Sequence, residues 1–294
     1  MLIRAIRAQP HLKYTGTYTV EFRQGPTLRH QEYITRDGPR YRIDFPADSQ
    51  FAGQVIVEDQ TIRLHYRPGK NEIIQQPPRH GEAWEKIRNL AVDPRYRLTT
   101  GPGEQIAGLK TDQLVVSDKF GNVLQRLFIA ADSGVIMKRQ IFDLVGAPVG
   151  FFEFTQIDLS PVIDPSVFTI KRKDAALITP FVELQRVSRR QKMALRLLAP
   201  STGFQLENAS ARNFAGVPGI VQTYLNGKTR LWVYELKAPV DPGRLRQQSR
   251  KNEHFFSFRS GGETIVLLGN MPERILERFA MSMTSGTQSA ASQL

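Results

Sequence analysis

Between Lys13 and Arg67 the chain alternates apolar and polar side chains with a period of two, and no other feature limits its fold as much. Tyr14, Gly16, Tyr18, Val20 and Phe22 alternate with Thr15, Thr17, Thr19, Glu21 and Arg23. After the turn Asp37-Gly38-Pro39, Tyr41, Ile43 and Phe45 alternate with Arg40, Arg42 and Asp44. Ile62, Leu64 and Tyr66 then alternate with Thr61, Arg63, His65 and Arg67. Successive side chains on a strand point to opposite faces, so the pattern reads as antiparallel strands sharing one apolar face. What covers that face, the chain's own helices or a guest, decides what the domain does.

The flanking segments fill in the architecture. Leu2, Ala5 and Ile6 suit one face of a short helix ended by Pro10. Gln76-Pro77-Pro78-Arg79 interrupts the sheet. Ala83, Trp84, Ile87, Leu90 and Ala91 then recur at helical spacing before Asp93-Pro94, which predicts a short helix lying across an open side of the sheet. Strands resume at Tyr96, with a turn predicted at Gly101-Pro102-Gly103. Further strands are predicted over 106–117, 122–130, 134–144 and 149–159, separated by hairpin residues such as Asp132-Ser133-Gly134. Sequential strands with few helices give an α+β chain built on one strongly curved antiparallel sheet.

Asp164-Pro165 and Lys171-Arg172-Lys173-Asp174 close a first domain over 1–175. Residues 176–192 are expected to connect, with a helix around Phe181 to Lys192. A smaller α/β domain follows over 193–284. It opens with a strand from Met193 to Leu198 and contains hairpins at Asn226-Gly227 and Gly261-Gly262. Pro272 opens its terminal helix, with Ile275, Leu276, Phe279 and Met283 as the buried face. The tail at 285–294 is expected to be disordered.

Composition removes several kinds of chemistry. The chain has no cysteine, which excludes disulfides, thiol catalysis and thiolate metal sites. His11, His30, His65, His80 and His254 stand in no HxH or HExxH spacing, so no metal site is predicted. Asp132-Ser133-Gly134 lacks the GxSxG context of a nucleophile elbow. Glu58 and Asp59 point to opposite faces of a strand and cannot converge. No catalytic residues and no cofactor are predicted. No apolar run approaches the ~20 residues of a membrane-spanning helix. Met1-Leu2-Ile3-Arg4 leads into no apolar h-region, which leaves a cytosolic chain or a mature exported one.

Two features remain. Tyr18, Val20, Phe22, Tyr41, Ile43, Leu64, Trp84, Ile87 and Leu90 could line one concavity, filled either by one another or by a guest. The second is charge. Of the net +12, residues 176–294 carry +8, with 16 Lys and Arg against 8 Asp and Glu. Arg186, Arg189 and Arg190 fall at i, i+3, i+4 spacing, with Lys192 and Arg196 close behind. Such a cluster suits an acidic peptide, lipid phosphates or simply a solvated helix face. Nucleic acid is not predicted, because no stacking platform or helix-turn-helix accompanies the charge.

Several phrases together resemble the RseB/MucB family. They are Ala5-Ile6-Arg7-Ala8 before Tyr14-Thr15-Gly16-Thr17-Tyr18, and Gly103-Glu104-Gln105-Ile106-Ala107-Gly108 followed by Leu127 through Gly134. In the second half they are Pro200-Ser201-Thr202-Gly203-Phe204, Asn226-Gly227 through Val233, and Val266-Leu267-Leu268-Gly269-Asn270-Met271-Pro272. The hairpin departs from the family in reading Lys-Thr-Arg-Leu-Trp-Val-Tyr after Asn-Gly, without a Ser-Val core. The resemblance implies a LolA-like half-open antiparallel β-barrel with short helices in its mouth, plus a small C-terminal domain. It implies a periplasmic or other extracytoplasmic setting. It also implies an anti-sigma factor or other membrane-anchored protein as partner, and a lipid or lipoprotein acyl chain as ligand. The expectation is therefore a non-enzymatic exported binding protein. A lipoprotein or lipid carrier is the alternative, and an unrecognised hydrolase the further one.

Overall fold

The computed structural model describes residues 2–23, 27–79, 92–143, 145–214, 216–227, 229–241, 244 and 252–285. Contacts divide the chain into two compact units, Met1–Leu177 and Ile178–Leu294.

The first unit opens with α1 (Leu2–Ala8), and a 3-10 turn over Gln9–His11 follows. Its strands are β1 (Lys13–Phe22), β2 (Leu28–Asp37), β3 (Arg40–Asp44), β4 (Val55–Glu58), β5 (Arg63–Arg67) and β6 (Glu72–Gln76). After the Pro-rich break come β7 (Tyr96–Ile106), β8 (Leu109–Asp118), β9 (Val123–Ala130), β10 (Ile136–Phe142) and β11 (Pro148–Asp158). With β12 (Ala176–Ile178) they form one sheet in the order β12-β6-β5-β4-β3-β2-β1-β11-β10-β9-β8-β7. The pairing of β1 with β11 joins two antiparallel meanders, and a β-bulge interrupts it between Thr17 and Tyr18. Its two edges, β12 and β7, do not pair, so the sheet is large and open. The helix expected over 83–91 lies outside the described residues.

Register decides which alternating set faces which side, and here it corrects the sequence reading. Tyr41 stands opposite Glu58, and Ile43 opposite Ile56, which stands opposite His65. Leu64 stands opposite Val57, itself opposite Arg42. Leu64 and Tyr66 are therefore on the face away from Tyr41 and Ile43. A one-residue offset exchanges the two faces, and turn lengths set that offset. The second face is apolar too: Val55, Val57 and Tyr66 are buried there, with the partly buried Ile73, Phe168 and Ile170 packed against them. On β9, Leu127 and Ile129 join Leu114 against Ala5 of α1. Phe128 and Ala130 go to another cluster with Ile106 and Met137.

Gly101-Pro102-Gly103 is not a turn. β7 runs through it as an edge strand with a register irregularity between Pro102 and Gln105, and an edge is where a sheet tolerates proline. The reversal falls instead at Ala107 and Gly108, at φ 47° and 82°.

In the second unit, α2 (Pro180–Gln191) is capped by the Thr179 hydroxyl, which accepts from the Val182 amide at 3.3 Å. Leu184 and Val187 are buried with Met193, Ala209 and Ile220. The stretch expected as a connector is thus divided: Ala176 and Leu177 belong to the first unit, and the helix to the core of this one. The unit's strands are β13 (Arg196–Leu197), β14 (Gln205–Phe214), β15 (Val217–Asn226), β16 (Thr229–Leu236), β17 (His254–Ser260), β18 (Glu263–Gly269) and β19 (Thr284–Ser285). Five form a sheet in the order β14-β15-β16-β18-β17, and β13 pairs with β19. Ser285, placed by sequence in the tail, is therefore in a strand. Helix α3 (Glu273–Met281) buries Leu276 and Ala280 against Tyr224, Leu231, Val233 and Leu267.

Candidate ligand-binding hollow

A cavity of about 250 Å³ opens on the face of the first sheet that carries Tyr18, Tyr41 and Ile43. Tyr14, Ile34, Phe152 and Phe154 complete its aromatic and aliphatic wall, with Leu12, Val135 and Ile136 beside them. Four paired strands bring these residues together. Tyr18 lies opposite Phe154 on β11, and Ile34 on β2 lies opposite both Gly16 and Ile43. Tyr18 packs on Phe152 and Phe154, at ring-centroid distances of 5.8 and 5.3 Å. At Gly16 a Cβ would stand 2.6 Å from the Gln156 carbonyl oxygen and 2.8 Å from Phe154. The missing side chain lets the Phe154 ring approach β1 closely.

Of the residues proposed from sequence, Tyr18, Tyr41 and Ile43 line this cavity. Val20 is buried on the same face, further along the strand, and is not part of the wall. Phe22, at the strand end, is 49% exposed. Leu64 is on the opposite face. Trp84, Ile87 and Leu90 lie outside the described residues. Phe152, Phe154, Ile34, Arg36 and Arg139 were missed. The Phe-x-Phe spacing of Phe152 and Phe154 was the available signal, since it puts both rings on one face of a strand.

Polar groups in the wall are individually anchored. The Tyr18 hydroxyl donates to Glu32, whose other oxygen is 2.8 Å from His30 Nε2. Burial first, and Glu32 second, hold that hydroxyl well above the usual tyrosine range. The Tyr41 hydroxyl donates to Glu58 Oε2 at 2.5 Å, and Arg63 Nη1 donates to the same oxygen at 3.0 Å. Burial and then Glu58 raise Tyr41 strongly. Both tyrosines stay protonated, amphipathic and fixed in place.

Two arginines complete the lining. Arg36 is buried and fully engaged. Its Nη1 donates to Gln9 Oε1 at 2.8 Å, its Nη2 to the Gln9 carbonyl at 2.6 Å, and its Nε to the Gly38 carbonyl at 3.0 Å. It ties the turn after α1 to β2. Arg139 on β10 is half-buried, and among the described residues it bonds the neutral Gln125 Oε1, from Nη2 at 2.9 Å and Nε at 3.2 Å. Burial lowers its guanidinium from the ordinary arginine value.

The basic cluster of the second unit divides. Arg189, Arg190 and Lys192 are exposed at the C-terminal end of α2, where free carbonyls favour positive charge. Arg186 is half-buried. Arg196 does not belong with them: its Nη1 donates to Glu235 Oε2 at 2.9 Å and to Glu263. Adjacency in sequence suggested one patch, but the chain turns inward after Lys192 and the next arginine meets two carboxylates.

Among the described residues no group of three His, Asp or Glu could hold a metal ion. None of their helices is long and apolar enough to cross a membrane.

No protein-family profile matches the chain, and no curated protein does. Solved structures do. The MucA/MucB complex of Pseudomonas aeruginosa matches at 17% identity, over 97% of both chains, with a TM-score of 0.48. A crystal structure of MucB matches at 19% identity, over 97% of this chain and 96% of that one, with a TM-score of 0.44. A LolA superfamily protein from Nitrosomonas europaea matches at 11% identity, over 57% of this chain and 96% of its own, with a TM-score of 0.29. The first two bear the name of the family that the sequence motifs resemble. At such identities, partners and ligands are matters for each protein's own residues.

Proposed function

We propose that this chain is a non-enzymatic binding protein whose first unit holds an apolar ligand and whose second unit holds a protein partner. The observation that carries the reading is the hollow walled by Tyr18, Ile43, Phe152 and Phe154. Apolar surface left against water costs about 25 cal/mol per Å², so a preformed hollow of this kind gains by taking up hydrocarbon. The exposed Arg189, Arg190 and Lys192 support an acidic surface on the partner. The motif resemblance supports an extracytoplasmic setting, and an anti-sigma factor or another membrane-anchored protein as that partner. In this reading the ligand regulates the partner only as far as it binds the free and partnered states unequally.

Native mass spectrometry of the full chain after incubation with a bacterial lipid extract tests the ligand half. Bound acyl species are expected on the natural protein and none on an Ile43→Asp variant that keeps its fold. A natural protein that stays empty overturns the reading. Partner affinity that is the same with and without bound lipid would leave a carrier, not a regulator.

A further inference from the structure

We infer that the ligand of the hollow is a single-chain fatty carboxylate, with its head group on Arg139 and its tail along Tyr18, Phe152 and Phe154. The inference rests on the proposed ligand-binding role and specifies the ligand's chemistry.

A cation partly withdrawn from water gains from a counter-charge or a full set of acceptors. Two other arginines on this face of the sheet have one or the other. Arg63 bonds Glu58, and Arg36 bonds three oxygens. Arg139 has neither. Among the described residues its one acceptor is Gln125 Oε1, reached from Nε and Nη2, and Nη1 is left over. Its partners across the sheet are Leu127 on β9 and Phe152 on β11, both apolar. A carboxylate accepting from Nη1 and Nη2 would supply two charge-assisted bonds in the planar geometry a guanidinium favours.

The rest of the ligand follows from the wall. Beyond Arg139 the lining is hydrocarbon and aromatic ring apart from Gln9 and Arg36, which bond each other, and this calls for an apolar tail joined directly to the anion. At about 250 Å³ the space falls just below the ~300–1,000 Å³ of usual ligand pockets, which suits one chain and a compact head.

Calorimetric titration of the full chain with dodecanoate, dodecanol, dodecyl phosphate and a two-chain phospholipid tests this. Dodecanoate should bind at least about tenfold more tightly than dodecanol, the worth of a charge-assisted hydrogen bond. Arg139→Gln should abolish that preference, and Arg139→Lys should keep most of it. Equal binding of dodecanoate and dodecanol overturns the head-group assignment and leaves the hollow's apolar role standing. Tightest binding of the phosphate or the two-chain lipid overturns the carboxylate or the single chain. A preference that survives in Arg139→Gln overturns the choice of residue. Failure of every probe overturns the ligand-binding role itself, and this inference with it.

Discussion

Arg196 and Glu235 are 39 residues apart in sequence and 2.9 Å apart in space, from Nη1 to Oε2. The carboxylate is fully buried, on a face of the second sheet shared with Ile220, Leu231 and Val233. Gln222 donates to its other oxygen, and the Tyr224 hydroxyl donates to Gln222 Oε1 at 2.6 Å. Glu263 competes for the same guanidinium. Burial is the largest influence on Glu235 and Arg196 opposes it, yet its carboxyl is raised from 4.5 to about 7.

That shift fixes a pH dependence. A carboxyl raised by folding contributes stability that is complete below its unfolded value of 4.5 and is lost as pH rises through about 7. The loss is on the order of 3 kcal/mol, from the size of the shift. Urea unfolding followed by Trp232 fluorescence, in a Trp84→Phe background, should show the second unit weakening from pH 5 to pH 8. Glu235→Gln should flatten the curve. A profile already flat in the natural protein would remove Glu235 from the account.

The two faces of the first sheet are separable by a matched pair of substitutions. Ile43→Asp puts charge into the hollow and should reduce uptake of a fluorescent fatty acid at least about tenfold. Leu64→Asp, on the other face, should leave uptake within about twofold and lower only stability. Equal damage to uptake from both would contradict the register that separates them.

Arg36 holds the turn after α1 through three acceptors, so its removal strands all of them. Arg36→Met should cost roughly 3 kcal/mol. Arg36→Lys should recover less than half, since one ammonium cannot span the same oxygens. Hydrogen exchange should show α1 loosening before the strands. Unchanged protection in α1 would mean the turn is held by other contacts.

Gly134 follows the β9–β10 reversal at φ 76°, and a Cβ there would stand 3.2 Å from the Ala8 side chain and 3.3 Å from the Ala5 Cα. Gly134→Ala should cost about 1–2 kcal/mol in backbone strain alone, and more as α1 is pushed outward. Chemical denaturation measures it. A neutral result would show that α1 can shift freely over the turn.

What could be read from the sequence depended on whether the signal was local. The alternation in β1 and β3 identified strands and brought Tyr18, Tyr41 and Ile43 into the hollow, because period two is a property of one segment. The facing of Leu64 was not legible, since it depends on how β4 and β5 are offset from β3. β14 went unseen because Gln205–Phe214 is largely polar and its place comes from pairing with β15. Pro102 suggested a turn because proline's local preference does not reveal that its strand lies at an edge. Arg139 carried no local signal at all. Its position follows from β10 lying between β9 and β11, and its lack of a carboxylate partner among the described residues is a fact of three strands together.

The short ladder of β13 with β19 has a further bearing on how this protein is handled: Thr284 and Ser285 fasten the stretch that carries Arg196. Clipping the polypeptide just ahead of Thr284 would unfasten that stretch and let solvent reach the buried carboxylate behind it. A protease trimming this end would thereby act as a chemical lever on the second unit's interior, without cutting any strand of its main sheet.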